Sequence, residues 1–203
     1  MFNLLQEIPP RSILYNLPPI NGMGLVEGYE AGFGYDLREF RPDANISREE
    51  LAVIISRLLG VNTNANDLSL YNVLRKLSNE EEDAVLNNIT GVDHWAKSYV
   101  APLMKEKVVP SVFGSNFNGG QPISRAEAAV FITNAMKKTQ NYVYSPLNKN
   151  AFQDGDQLPS WADGNIDARI FGGDSIGNSH PNETITRAEF AAMMIKALSS
   201  LGW

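Results

Sequence analysis

The chain has 203 residues, with 17 Lys and Arg against 23 Asp and Glu for a formal charge of −6, and no cysteine. That length suits one ordinary domain or several small units sharing a core, with the apolar content of a soluble globular protein and no segment as long as a membrane span. The acidic balance excludes wholesale binding to nucleic acid or anionic lipid, so any anion recognition is local, and the lack of cysteine excludes disulfides and thiol chemistry.

Residues Met1-Phe2-Asn3-Leu4-Leu5-Gln6-Glu7 lack the positive stretch and long apolar core of a secretory signal, so export implies a signal already removed or another route such as host-cell lysis. The apolar Ile13-Leu14-Tyr15 lies between Pro9-Pro10 and Pro18-Pro19, which allows one short helix and no long one. From Gly22 to Pro42 glycine and aromatics alternate, in Gly24-Leu25-Val26-Glu27-Gly28-Tyr29, Gly32-Phe33-Gly34-Tyr35 and Phe40-Arg41-Pro42, and the stretch reads as a compact loop.

That loop leads into Ile46-Ser47-Arg48-Glu49-Glu50-Leu51, of which near copies recur as Ile123-Ser124-Arg125-Ala126-Glu127-Ala128 and Ile185-Thr186-Arg187-Ala188-Glu189-Phe190. In each, Ser47, Ser124 or Thr186 is followed three residues later by Glu50, Glu127 or Glu189 and then by an apolar run, the capping-box signature of a helix start. The stripes superimpose: Leu51, Ile54, Ile55, Leu58 and Leu59; then Ala128, Phe131, Ile132, Ala135 and Met136; then Phe190, Met193, Met194, Ala197 and Leu198. Gly60 predicts the end of the first helix, and the shared frame makes the unit a repeat.

Each motif places an Arg, namely Arg48, Arg125 or Arg187, in the first helical turn, where a cation is mildly unfavourable unless an anion is near. Two readings follow. Either open N–H groups and the guanidinium face one external carboxylate or phosphate, or each Arg pairs with an acidic side chain of the next repeat.

Between the first two motifs, Asp67 to Leu77 has a helical pattern, and Ser78 with Glu81 forms another capping box whose Glu80-Glu81-Glu82-Asp83 run suits a solvated helix start. The second unit opens on Val92-Asp93-His94-Trp95-Ala96, with a helix presenting Tyr99, Val100, Leu103 and Met104, and then a loop through Phe113-Gly114, Phe117 and Gly119-Gly120. Lys137 to Asn150 is polar and reads as a linker. The third unit opens on Phe152, Asp154 and Trp161-Ala162, runs as a helix through Ile166, Ala168 and Ile170, and reaches Phe171-Gly172-Gly173 before its motif.

This order resembles three consecutive S-layer homology domains. That family's repeat has a His-Trp-Ala-like start, a helix, a Gly-Ile-Val-x-Gly-Tyr loop, a Phe-x-Pro segment and an Ile-Thr-Arg-Ala-Glu helix start, and the third unit carries the last in full. The resemblance implies a mainly α fold, with three repeats in a pseudo-threefold arrangement around a central helical bundle and long Gly/aromatic loops. The units are residues 1–66 with a divergent start, a helical connector 67–91, 92–137, a linker 138–150, and 151–203. It further implies an extracellular module that binds a secondary cell-wall polysaccharide attached to peptidoglycan, often through a pyruvylated amino sugar, in grooves between repeats. Neither nucleic acid nor membrane insertion is implied, and protein cargo or an assembly partner is. The ligand-binding residues carried over are Arg48, Arg125, Arg187, Trp95, Trp161, Gly28, Gly114 and Gly172, with the Trp residues also suited to a core role.

The units depart from that pattern unequally. The first lacks the His-Trp-Ala start and has Glu49 where Ala126 and Ala188 stand in the others; the second has Val112-Phe113-Gly114 in place of Gly-Tyr; the third has Ser179-His180-Pro181 in place of Phe-x-Pro. Unequal sites are therefore expected.

Other chemistry is weakly signalled. Asp163-Gly164-Asn165-Ile166-Asp167 with Asp174 resembles a calcium loop, but Ala168 stands where Gly is required and Asp174 where Glu is. His94 and His180 lie in unrelated contexts, and the chain has no nucleophile elbow, phosphate loop or paired acid and base. The chain reads as non-catalytic, with no cofactor and no metal.

Overall fold

The structure is a computed structural model, and it describes residues 29–30, 38–61 and 73–202. Among these the fold is mainly helical. The regular β structure is one antiparallel ladder, β1 (Tyr29–Glu30) on β2 (Arg38–Glu39), inside the stretch read as a loop. The short helix expected near Ile13 lies outside the described residues.

Helices α1 (Arg48–Leu59), α4 (Arg125–Met136) and α5 (Arg187–Ser199) are the three motif helices. Each begins with both halves of its capping box made, as the sequence predicts. Glu50, Glu127 and Glu189 donate their backbone N–H to the side chains of Ser47, Ser124 and Thr186 at 3.2, 3.3 and 3.2 Å, and return a carboxylate oxygen to the cap N–H at 2.9, 3.0 and 2.8 Å. Gly60 ends α1 at φ 115°, a left-handed conformation that glycine adopts without strain, and its N–H closes on Ser56 and Arg57.

Burial on these helices exceeds the expected stripes. Ala52, Val53, Ser56 and Arg57 are buried on α1 together with its stripe, and Ala126, Ala129, Val130 and Thr133 on α4. A helix wrapped on most sides belongs to the interior. α4 packs against both α1 and α5, while α3 (Lys97–Lys105) packs on α1 and on α2 (Asn79–Leu86).

Two expected helices are not found among the described residues. Within Asp67–Leu77 the described residues 73–77 are not helical, because the N–H groups of Val73 and Leu74 both donate to the Leu59 carbonyl, at 2.8 Å each, and close the end of α1 instead. In the third unit the stretch after Trp161 forms consecutive turns. Gly164 turns left-handed at φ 71°, and the buried Asp167 carboxylate draws in the Ser145 and Arg169 N–H groups and the Arg169 guanidinium, which competes with a helical ladder. Arg169 and Tyr142 so outweigh the opposing effect of burial that the Asp167 carboxyl is held below its ordinary range. The segment after α4 is bound into this cluster, with the Tyr142 hydroxyl on Asp167 at 2.5 Å and the Leu147 N–H on the Ile166 carbonyl at 2.9 Å.

Candidate functional site

The three motifs meet one another through their backbones. Ile46 N–H donates to Ile185, Ile185 to Ile123, and Ile123 to Ile46, each at 3.1 Å, so that three hydrogen bonds form a closed cycle. Antiparallel bridges Asn45 to Thr186, Ser47 to Pro122, and Ser124 to Thr184 flank it.

The helix starts form a second cycle among the same three motifs, running in the opposite sense. The N–H groups of Arg48 and Glu49 donate to the carbonyls of Gln121 and Gly119, those of Arg125 and Ala126 to Glu183 and Pro181, and those of Arg187 and Ala188 to Ala44 and Pro42, at 2.8 to 3.0 Å. Each helix start is thereby capped by the loop that precedes another motif, and its third N–H by its own cap hydroxyl. The N–H groups that an external anion would need in the first turn already have acceptors.

The guanidinium groups follow the cycle too. Arg48 reaches Glu127 at 2.6 Å, Arg125 reaches Glu189 at 2.5 Å and Arg187 reaches Glu50 at 3.2 Å. Each Glu divides its oxygens: Oε2 takes the N–H of its own cap residue, and Oε1 takes the Arg of another motif. The capping residue and the ion-pair partner are thus one side chain. Burial works to raise the Glu189 carboxyl, but the Thr186 N–H and Arg125 outweigh it and hold it below the ordinary value. Arg48 also donates to the Phe117 carbonyl and lies 4.2 Å from the centre of the Phe113 ring; Arg187 donates to the Phe40 carbonyl and lies 5.2 Å from the Phe40 ring.

The capping loops share a backbone device. Arg41, Asn118 and His180, each seven places before its motif Arg, have φ of 52°, 49° and 49°, left-handed in all three. In the third loop the buried Asp154 carboxylate accepts from Ser179 N–H at 2.6 Å and His180 N–H at 2.7 Å. Burial disfavours the charged form of Asp154, yet these bonds keep its carboxyl below normal. His180 then bridges Asp174 at 2.9 Å and Glu183 at 3.0 Å, and its bond to Asp174 raises the imidazole above its ordinary value.

The junctions differ where the sequence differs. Glu49 is 2 % exposed, and its carboxylate accepts the Asp93 N–H at 2.6 Å. A methyl group on Gly119 would lie on that carboxylate, whereas Pro42 and Pro181 occupy the matching place in the other loops, facing Ala188 and Ala126. Burial raises the Glu49 carboxyl, with the Asp93 N–H opposing.

Of the other expected residues, Trp95 projects from its turn with 52 % of its surface exposed, and Trp161 is partly buried against the core. Gly114 follows the Phe113 ring on which Arg48 stacks and turns left-handed at φ 55°. Gly172 faces the Lys196 ammonium, and Gly28 lies outside the described residues. The carboxylates of the calcium-like loop go separate ways: Asp163 to Lys149, Asp167 to Arg169 and Asp174 to His180. Among the described residues no group of three or more His, Asp or Glu is placed to hold a metal ion, and no helix is long and apolar enough to cross a membrane.

Sequence reasoning treated Glu49 only as a nearby charge. Aligning the motif helices on their Arg sets Glu49 against Ala126 and Ala188 and marks it as the one acidic residue at that place.

Residues 20–52 and 89–129 match the family model of the S-layer homology domain, and no curated protein matches the chain. The two segments contain the first and second motifs and Trp95. S-layer homology domains are in general non-enzymatic binding modules that anchor proteins to cell walls.

Proposed function

We propose that the chain is a non-covalent cell-surface anchor of three repeats in pseudo-threefold arrangement, which binds a secondary cell-wall polysaccharide through an anionic, pyruvylated amino sugar at the junctions between repeats. The observation that supports three units is the equivalence of the third motif. Residues Thr186 to Glu189 lie outside the two matching segments, yet their cap, guanidinium and loop contacts repeat those of the other copies. The sugar sits at the rim of a junction, since the first-turn N–H groups and the Arg–Glu forks have protein partners, and an exposed aromatic such as Trp95 offers a face on which a sugar ring can stack.

A second reading is supported by those same forks: the Arg residues are inter-repeat ion pairs, and the outer surface binds a protein partner. Sedimentation of the purified chain with bacterial cell walls separates the two. Retention that disappears when the non-peptidoglycan polymer is stripped, and on walls lacking the pyruvyl group, is the outcome the anchor reading requires. Retention on stripped walls, or on none, overturns it.

A further inference from the structure

The segment after α4 that binds into the Asp167 cluster turns its backbone two ways. The Leu147 N–H donates to the Ile166 carbonyl at 2.9 Å, the Ser145 carbonyl accepts the Ala168 N–H at 2.8 Å, and Pro146 bridges antiparallel to Asp167 between them. The Ser145 N–H goes to the Asp167 carboxylate at 3.1 Å, and the Val143 carbonyl accepts from the Arg169 guanidinium at 2.6 Å. Residues 143, 145 and 147 therefore face inward. In an extended chain the residues between them turn their backbone groups the other way.

Those residues include Tyr142 and Tyr144, whose N–H and carbonyl groups have no partner among the described residues. Their side chains hold the segment down, with the Tyr142 hydroxyl on Asp167 and the Tyr144 hydroxyl on the Gly164 carbonyl at 2.6 Å. Val143 stands between them with 76 % of its surface exposed. The segment is thus an open β edge. Such edges are ordinarily blunted by charge, a bulge or proline. Here no charged residue lies between Asn141 and Leu147, Pro146 closes one end, and the left-handed Asn141, at φ 65°, closes the other.

An edge this short offers a long foreign peptide few bonds, whereas a second copy of the same edge is cut to the same length. Tyr-Val-Tyr also reads alike in both directions. Two copies related by a twofold axis at Val143 pair Tyr142 of each with Tyr144 of the other, so every open N–H finds an open carbonyl and the exposed valines face each other. An axis at Tyr144 instead sets Tyr142 against Pro146, which has no N–H, and leaves the Tyr142 carbonyl unmet. The neighbouring cations are occupied: Arg169 and Lys149 pair with Asp167 and Asp163 at 2.7 Å each, and the Lys137 ammonium lies over the Tyr144 ring at 4.2 Å.

We propose that the edge at residues 142–144 is a self-association surface, on which a second copy of this chain adds antiparallel about Val143. The proposal goes beyond the anchor reading and does not depend on it. Because the chain has no cysteine, one introduced cysteine reports on one place. Across the axis Val143 forms a non-hydrogen-bonded antiparallel pair, with Cα atoms about 4.5 Å apart, a span that a disulfide can bridge.

Val143→Cys is expected to close an intermolecular disulfide under mild oxidation. Ile176→Cys, at a position 65 % exposed but outside this edge, should stay monomeric. Sedimentation equilibrium of the unaltered chain should show a dimer, and Val143→Lys should raise its dissociation constant roughly tenfold or more with the melting temperature unchanged. A chain that stays monomeric at every concentration overturns the proposal, as does a Val143→Lys variant that dimerises as well as wild type. Equal crosslinking of the two cysteine variants, the mark of chance collision, overturns it too.

Discussion

Glu49 and Gly119 are complementary across the first junction: the carboxylate fills the volume that any side chain at 119 would need. Gly119→Ala is therefore expected to destabilise the fold by about 1–3 kcal/mol through overpacking. Glu49→Ala should be destabilising as well, because the Asp93 N–H loses its acceptor. The double variant should cost less than the sum of the two, since the added methyl enters space the carboxylate has left. Urea denaturation of all four proteins gives the coupling directly, and additive costs would show that the two do not compete for one volume.

Glu49 also makes stability depend on pH with a definite sign. Its folded carboxyl is raised by burial above the ordinary value of 4.5, so the charged form is disfavoured in the folded state. The cost is absent well below pH 4.5 and grows as pH rises through the raised folded value. Comparing Glu49→Gln with wild type across that interval should show the variant gaining relative stability with rising pH.

Removing one member of an Arg–Glu fork should cost far more than removing a cap hydroxyl. Arg125→Met leaves Glu189 partly buried without its cation, at about 3 kcal/mol, whereas Thr186→Ala should cost about 1 kcal/mol. Denaturant midpoints order the variants, and wall retention measured on the same proteins tells lost fold from lost binding.

His180 should titrate above 6.5 by nuclear magnetic resonance and return toward that value in Asp174→Asn, because Asp174 is the chief cause of the rise. The charged imidazole favours the folded loop fully below 6.5, and that help is lost as pH rises through the folded value. Asp174 itself is lowered to about 2, chiefly by His180, so its contribution is present above 3.8 and fades only as pH falls toward 2. The pair is in place between those limits.

Helix starts were the most legible feature of the sequence, because a capping box is local: the hydroxyl, the carboxylate and the two N–H groups they satisfy all lie within one short motif. The Gly60 stop was readable for the same reason. The absent helix after Trp161 was not, because its rival is a buried carboxylate, Asp167, whose partners Tyr142 and Ser145, like the Thr133 hydroxyl that accepts the Asp167 N–H, come from far back in the chain. The Arg motif was recognised, and pairing of each Arg with an acidic side chain of another copy was one of its two readings, which the ion pairs match. Sequence spacing could not show that the partner is the capping Glu itself, through a second oxygen turned to another motif.

The cycle joining Ile46, Ile123 and Ile185 also sets a rule for how such a chain can change. A linear stack of repeats has two ends, and it can lengthen or shorten by a unit there. Here each isoleucine gives one bond and receives one, so the ring has no terminal member to extend. A fourth unit spliced into the chain would find every donor and acceptor taken, and deletion of one would leave an orphan of each kind. The three motifs can drift apart in loop length and at single positions, as Glu49 against Ala126 and Ala188 already illustrates, but the ring that joins them can be gained or lost only whole.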